Sequence, residues 1–180
     1  MNRQSLIIDC DPGVDDAVAL MLAFGAEEFE LLAVTTVGGN VPVEKTARNA
    51  RMLRQIAGLQ KPEREDVPVF MGAGEPLRRT LGTAAEFHGP EGTGDLEPFE
   101  PDAPVAEGHA ADAILALVNA RPAKSVALAV LGPLTNLALA LRKDPALAGR
   151  LGPVAVMGGA RSEGGNITAS AEFNIWADPE

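Results

Sequence analysis

Residues 5–37, "SLIIDCDPGVDDAVALMLAFGAEEFELLAVTTV", decide the fold. The run "SLIIDC" (5–10) reads as a strand, "VDDAVALMLAFG" (14–25) as a helix ended by Gly25, and "ELLAVTTV" (30–37) as a second strand. Both strands are almost continuously apolar, which is the pattern of strands buried on two faces of a parallel sheet. The same alternation continues outward. "VEKTARNARMLRQIAG" (43–58) has helical spacing, "VPVFMG" (67–72) is a short strand, and "EGHAADAILALVNA" (107–120) is helical, with His109 at the helix start. "SVALAVLG" (125–132) and "GPVAVMGG" (152–159) are strands on either side of the helix "PLTNLALALRKD" (133–144). The predicted class is α/β, an open, mostly parallel, Rossmann-like sheet with helices on both faces. No repeat or linker divides the chain, so residues 1–180 are expected to form a single domain. Residues 78–104 are polar, with six Gly or Pro between His88 and Pro104. They are expected to form a mobile loop of the length that often covers an active site.

Composition narrows the function classes. The chain has 180 residues, 46% of them apolar, and 15 basic against 25 acidic residues give a formal charge of −10. That balance argues against nucleic acid or an anionic membrane surface as partner, since both require a basic stripe. Cys10 is the only cysteine, so no intrachain disulfide forms. The first residues carry no secretory pattern, and the uncharged run 125–141 is broken by Gly132-Pro133 and Thr135-Asn136. A cytoplasmic protein without a membrane span is expected.

The chemistry is announced by Asp9, Asp11, Asp15 and Asp16, crowded where the first strand meets the first helix. In open α/β sheets, ligands bind outside the carboxyl ends of the strands. Asp15 or Asp11 serving as a helix cap, with the others solvated, is one reading, but one cap needs one Asp. Like charges about 4 Å apart repel by roughly 4 kcal/mol at an effective dielectric near 20. Converging carboxylates therefore call for protonation or a cation, and an all-oxygen donor set selects Ca²⁺ or Mg²⁺. A Mg²⁺-dependent phosphatase with Asp9 as phosphoryl acceptor is a weaker alternative, because Gly13 stands where that pattern wants Thr or Val. Later strands end in further polar groups: Asn40 in "TTVGGN", Asn136 in "LGPLTN" and Met157 in "VMGG". Asn136 reads as a helix-start residue and Met157, by strand position alone, as core. Glu172 and Asn174 alternate around Phe173, which as extended chain would point both the same way.

These residues carry a specific resemblance. "DCDPGVDDAVA" (9–19), "VTTVGGN", "HGPEGTGDL", "LGPLTNLALAL", "VMGGA" and "GNITASAEFNIWADPE" resemble, in order, the motifs of the inosine–uridine preferring nucleoside hydrolases. The resemblance implies the nucleoside hydrolase fold and Ca²⁺-dependent cleavage of the N-glycosidic bond of ribonucleosides. It implies Asp11, Asp16 and the carbonyl of Leu131 as Ca²⁺ ligands, with Asp9 supporting the metal shell and Asp11 as general base. Asp15, Asn40, Asn166, Glu172 and Asn174 would hold the ribose hydroxyls, Met157 would lie against the sugar, and His88 would sit near the base. It implies a homo-oligomer, dimer or tetramer. It also implies that the family's C-terminal part, with a further metal-binding Asp and the usual acid, lies outside these 180 residues. Two outcomes follow for the chain by itself: a hydrolase, or a silent remnant that binds metal, a ribosyl ligand or a partner subunit.

Overall fold

The computed structural model describes residues 3–180. Five strands form one all-parallel sheet in the order β3-β2-β1-β4-β5. They are β1 (Gln4–Cys10), β2 (Phe29–Thr36), β3 (Val69–Met71), β4 (Val126–Val130) and β5 (Val154–Val156). The helices are α1 (Val14–Gly25), α2 (Val43–Gly58), α3 (Ala85–His88), α4 (Ala110–Asn119), α5 (Thr135–Lys143), α6 (Leu147–Arg150) and α7 (Phe173–Ala177).

Strand β1 is buried on both faces, which is why its sequence does not alternate. Leu6, Ile8 and Cys10 pack with Leu20 and Phe24 of α1 and Ala50 of α2. Ile7 faces the other way, into a core made with Leu128 of β4, Ile114 and Val118 of α4 and Leu137 of α5. From β1 the chain winds outward to β2 and β3, then crosses back to place β4 on the far side of β1. The crevice between the carboxyl ends of β1 and β4 is therefore the point where strand order reverses, and there an α/β sheet binds its ligands. Asp11 follows β1 and Leu131 follows β4, so the topology puts both at that crevice.

Strand β5 differs from the rest. Its three residues are all exposed, Val154 at 44% and Val156 at 46%, whereas strands of all-parallel sheets are normally covered on both faces. No described helix is long and apolar enough to cross a membrane.

The segment 78–104 is more structured than its composition suggests. It contains the helical turn α3 and is fastened to α2 through Glu91, whose carboxylate pairs with Lys45 Nζ at 2.7 Å and Arg48 Nη1 at 2.8 Å. Asn49 Nδ2 donates to the Glu91 carbonyl at 2.8 Å and to the Pro12 carbonyl at 3.2 Å, tying this segment to the turn after β1. Composition hides these ties because their partners lie some forty residues upstream. His109 is the N-cap of α4, its Nδ1 accepting from Ala111 N–H at 3.1 Å, as its position at the helix start suggests.

Candidate active site at the β1–β4 crevice

Asp9, the last but one residue of β1, lies beneath the crevice. Its Oδ1 accepts from Thr35 Oγ1 at 2.6 Å and from Asn136 Nδ2 at 2.8 Å, while Oδ2 is buried with no partner among the described residues. Burial raises its pKa to about 6, although both hydrogen bonds act to lower it. Asn136, read from sequence as a helix-start residue, is also a cross-link. Its Nδ2 reaches the Thr36 carbonyl at 2.9 Å, and its Oδ1 accepts from Ala73 N–H at 2.9 Å. Asn136→Ala strips partners from the buried carboxylate, that carbonyl and that N–H together. The expected result is a loss of about 3 kcal/mol in urea unfolding with an unchanged m-value.

Asp11 stands at the crevice floor. Asn40 N–H donates to its Oδ2 at 2.7 Å, and its Oδ1 is buried without a partner among the described residues. Glycine is required around it. A Cβ on Gly132 would come within 2.6 Å of Oδ1, and one on Gly39 would collide with Oδ2. Asp16, in the first turn of α1, accepts from the Gly13 N–H at 3.2 Å and from Asn40 Nδ2 at 3.3 Å. Gly13 is thus the cap residue of α1, and the carboxylate that reaches back to it is Asp16, not Asp11 or Asp15. Burial, with the Asp15 charge adding to it, pushes Asp16 up to about 7. Asp11 is raised well above the usual range by burial and then by the Asp16 charge. Asp15 lies at the rim, its side chain exposed.

The remaining wall comes from α3, the ends of β4 and β5, and α7. His88 Nδ1 accepts from the Val14 N–H at 3.2 Å, which leaves the ring proton on Nε2. Its Nδ1 is 3.9 Å from Asp15 Oδ1. Asn174 Nδ2 donates to the Leu131 carbonyl at 2.7 Å and to the Met157 carbonyl at 3.2 Å. Asn166 Oδ1 accepts from Phe173 N–H at 2.8 Å. Residues 172–174 are not extended: Glu172 is the N-cap of α7, its Oε1 accepting from Asn174 N–H at 2.9 Å and its Oε2 from Gly159 N–H at 3.1 Å. The alternation expected for a strand is replaced by a helix start, because a side chain able to cap two backbone N–H groups outweighs local extended preference. Glu172 and Asn174 nonetheless both reach the crevice.

Together these residues enclose a cavity of about 380 Å³. Every residue expected at the site lines it except Asp9, which is fully buried and sits below. That placement counts against the phosphatase alternative, whose acceptor carboxylate would have to face the ligand. Sequence reading missed the apolar wall of Ala84, Phe87, Ile167 and Phe173. Phe87 gave a signal, since an aromatic in a polar segment with no helical partner has few other uses, and it is 68% exposed.

Among the described residues, no three His, Cys, Asp or Glu side chains gather into a metal cage. The donors offered are two carboxylates, Asp11 and Asp16, and the Leu131 carbonyl, whose second lone pair is free beside the Asn174 bond. The partnerless Asp11 Oδ1, the all-oxygen set and the glycine cradle fit a hard divalent cation.

Comparison with known proteins sets this geometry in context. The family model described as inosine-uridine preferring nucleoside hydrolase matches residues 6–180. The inosine-uridine preferring nucleoside hydrolase of Crithidia fasciculata is 44% identical over 178 residues, 98% of this chain and 55% of that protein. Uridine nucleosidase 1 of Arabidopsis thaliana is 42% identical over 179 residues, 99% of this chain and 52% of that protein. A solved plant nucleoside hydrolase superposes with a TM-score of 0.92 at 38% identity, covering 99% of this chain and 55% of its own. The chain thus spans about half the length of the relatives it matches.

Proposed function

The chain belongs to the inosine-uridine preferring nucleoside hydrolase family, and from that premise we propose that it forms the Ca²⁺-binding and ribose-binding part of a nucleoside N-ribohydrolase. The observation that carries the reading is the buried, partnerless Oδ1 of Asp11 opening onto a cavity walled by amides and carboxylates. Asp11, Asp16 and the Leu131 carbonyl would hold Ca²⁺, with Asp9 and Asn136 bracing the floor from below. When bound, the ion supplies positive charge that eases deprotonation of a water.

The chain's own residues account for the rest. Asp11, ionised beside the cation, takes the proton from the attacking water at Oδ1. Cleavage leaves positive charge on the ribose, which Asp15 and Glu172 at the cavity wall stabilise. Asn40 spends its side-chain N–H groups on the Asp11 carbonyl and on Asp16, so it offers a sugar hydroxyl its Oδ1. Asn166, Glu172 and Asn174 complete the sugar contacts, and Met157 packs against the ring. His88, with its proton on Nε2, donates toward the departing base, and Phe87 and Ile167 supply apolar surface for it. A homo-oligomer, dimer or tetramer, belongs to the same reading, supported by the family motifs alone.

A second reading draws on the small donor set and the half-length match: the chain takes up the ion and a ribosyl ligand without turning over. One assay separates the two. Incubation with inosine or uridine is expected to release ribose, chelation to stop the release, and Ca²⁺ to restore it. Ca²⁺ uptake with no ribose released selects the second reading.

A further inference from the structure

Resting on the nucleoside hydrolase reading, we infer that Asp178, outside the cavity and outside the acidic cluster, is a positioning residue that sets α7, and through it Glu172 and Asn174, at the sugar-holding wall. Helix α7 is five residues long, too short to hold its own conformation. Its first turn is pinned to the cavity by Glu172 and Asn174. Its other end is pinned by Asp178, which is 5% exposed. Asp178 Oδ2 accepts from Thr135 Oγ1 at 2.5 Å and from Leu77 N–H at 3.0 Å.

Those two donors come from separate elements. Thr135 is the first residue of α5, where the helix end favours a carboxylate. Leu77 lies between β3 and α3 on the way to His88. One oxygen therefore joins α7, α5 and the segment leading to the histidine. Further ties of α7 among the described residues are the apolar cluster of Ala84, Phe173 and Ala177, the Trp176 ring lying against Gly82, and the partly exposed Arg79–Glu180 pair at 3.1 Å. Apolar burial is non-directional and an exposed pair is weak, so neither fixes the rotation of a one-turn helix. Without Asp178, a buried and a half-buried donor lose their acceptor, and the bearing of Glu172 and Asn174 rests only on their own bonds to Gly159, Leu131 and Met157 at the opposite end of the helix.

The test compares Asp178→Ala with Asp178→Asn, which keeps one oxygen for both donors. In Asp178→Ala, amide hydrogen exchange over 172–178 is expected to rise by about tenfold or more, with β1 and β4 unchanged; Asp178→Asn stays near wild type. With a ribonucleoside, Asp178→Ala raises KM by about tenfold with a smaller change in kcat, and its preference for the ribonucleoside over the 2′-deoxy and 3′-deoxy analogues shrinks. Asp178→Asn restores both. If Asp178→Ala does not fold, Thr135→Val removes the shorter bond and carries the same expectations. Unchanged exchange over 172–178, or wild-type discrimination against the deoxy analogues, overturns the inference. A wild-type protein that neither binds nor cleaves a ribonucleoside refutes the functional reading instead, and the exchange comparison still decides the role of Asp178.

Discussion

Asp11→Ala is expected to lower ribose release by about 10³-fold while leaving the protein folded. The size follows from the number of tasks that converge on one side chain. Its Oδ1 is the partnerless buried oxygen at the cavity floor, and its Oδ2 receives the Asn40 N–H that fixes the amide beside it. Removing it takes away the base, one of the two carboxylates offered to the cation, and the acceptor that orients Asn40. Stability responds differently. Asn40 N–H loses a partner, at a cost of about 1–3 kcal/mol, but Asp16 loses the neighbouring like charge. In Ca²⁺-free buffer these oppose each other, so Tm is expected to change little. Asp11→Asn keeps the shape and the acceptor for Asn40 and is expected to be equally inactive. Ribose assays and calorimetric scans on the three proteins check both halves. An Asp11→Ala protein that retains activity removes Asp11 from the chemistry.

The second large effect is on stability. In the unfolded chain these aspartates ionise near 3.8, whereas in the folded protein Asp9 sits at about 6, Asp16 at about 7 and Asp11 is also raised. Between those values the native state holds more protons than the unfolded state. Stability is thus greatest below the unfolded value and falls as pH rises through the folded ones. The partly or fully exposed carboxylates Glu30, Glu91 and Glu180 have lowered values and titrate on the acid side of 4.5, outside the window from 5 to 7.5 in which the buried aspartates lose their protons. A shift of the Asp16 size corresponds to a few kcal/mol, or about 10 °C in Tm for a chain of this length. Chelator-treated protein is expected to melt about that much lower at pH 7.5 than at pH 5. Saturating Ca²⁺ should erase most of the gap, since a cation favours the ionised form. Asp16→Asn should flatten the slope without Ca²⁺. A Tm that rises from pH 5 to 7.5 in the absence of the ion contradicts this picture of the cluster.

The β-α-β frame was readable because continuous apolar runs such as "SLIIDC" have one economical use, a strand covered on both faces. The acidic stretch 9–16 was readable as a group for a similar reason: four carboxylates exceed what one helix cap can absorb. The division of labour inside it was not readable. Spacing does not say that Asp16 reaches back to Gly13, or that Asp9 ends beneath the floor instead of on it. Asn136 looked like an ordinary helix-start residue because its partner Asp9 is 127 positions away. The reading of 172–174 brought Glu172 and Asn174 to the crevice by the wrong geometry, since a helix cap and a strand both bring residues two apart to one side. Asp178 was invisible as a tie because both its donors are far upstream.

In the proposed function a divalent cation held by Asp11 and Asp16 neutralises the acidic floor of the crevice. Titration calorimetry with Ca²⁺ near pH 6.5, repeated in buffers of different ionisation enthalpy, tests it most directly. The expected result is one site per chain, release of protons on binding because the carboxyls start partly protonated, and loss of the heat in Asp11→Ala. No heat with the wild type, or the same binding isotherm with Asp11→Ala, would contradict it.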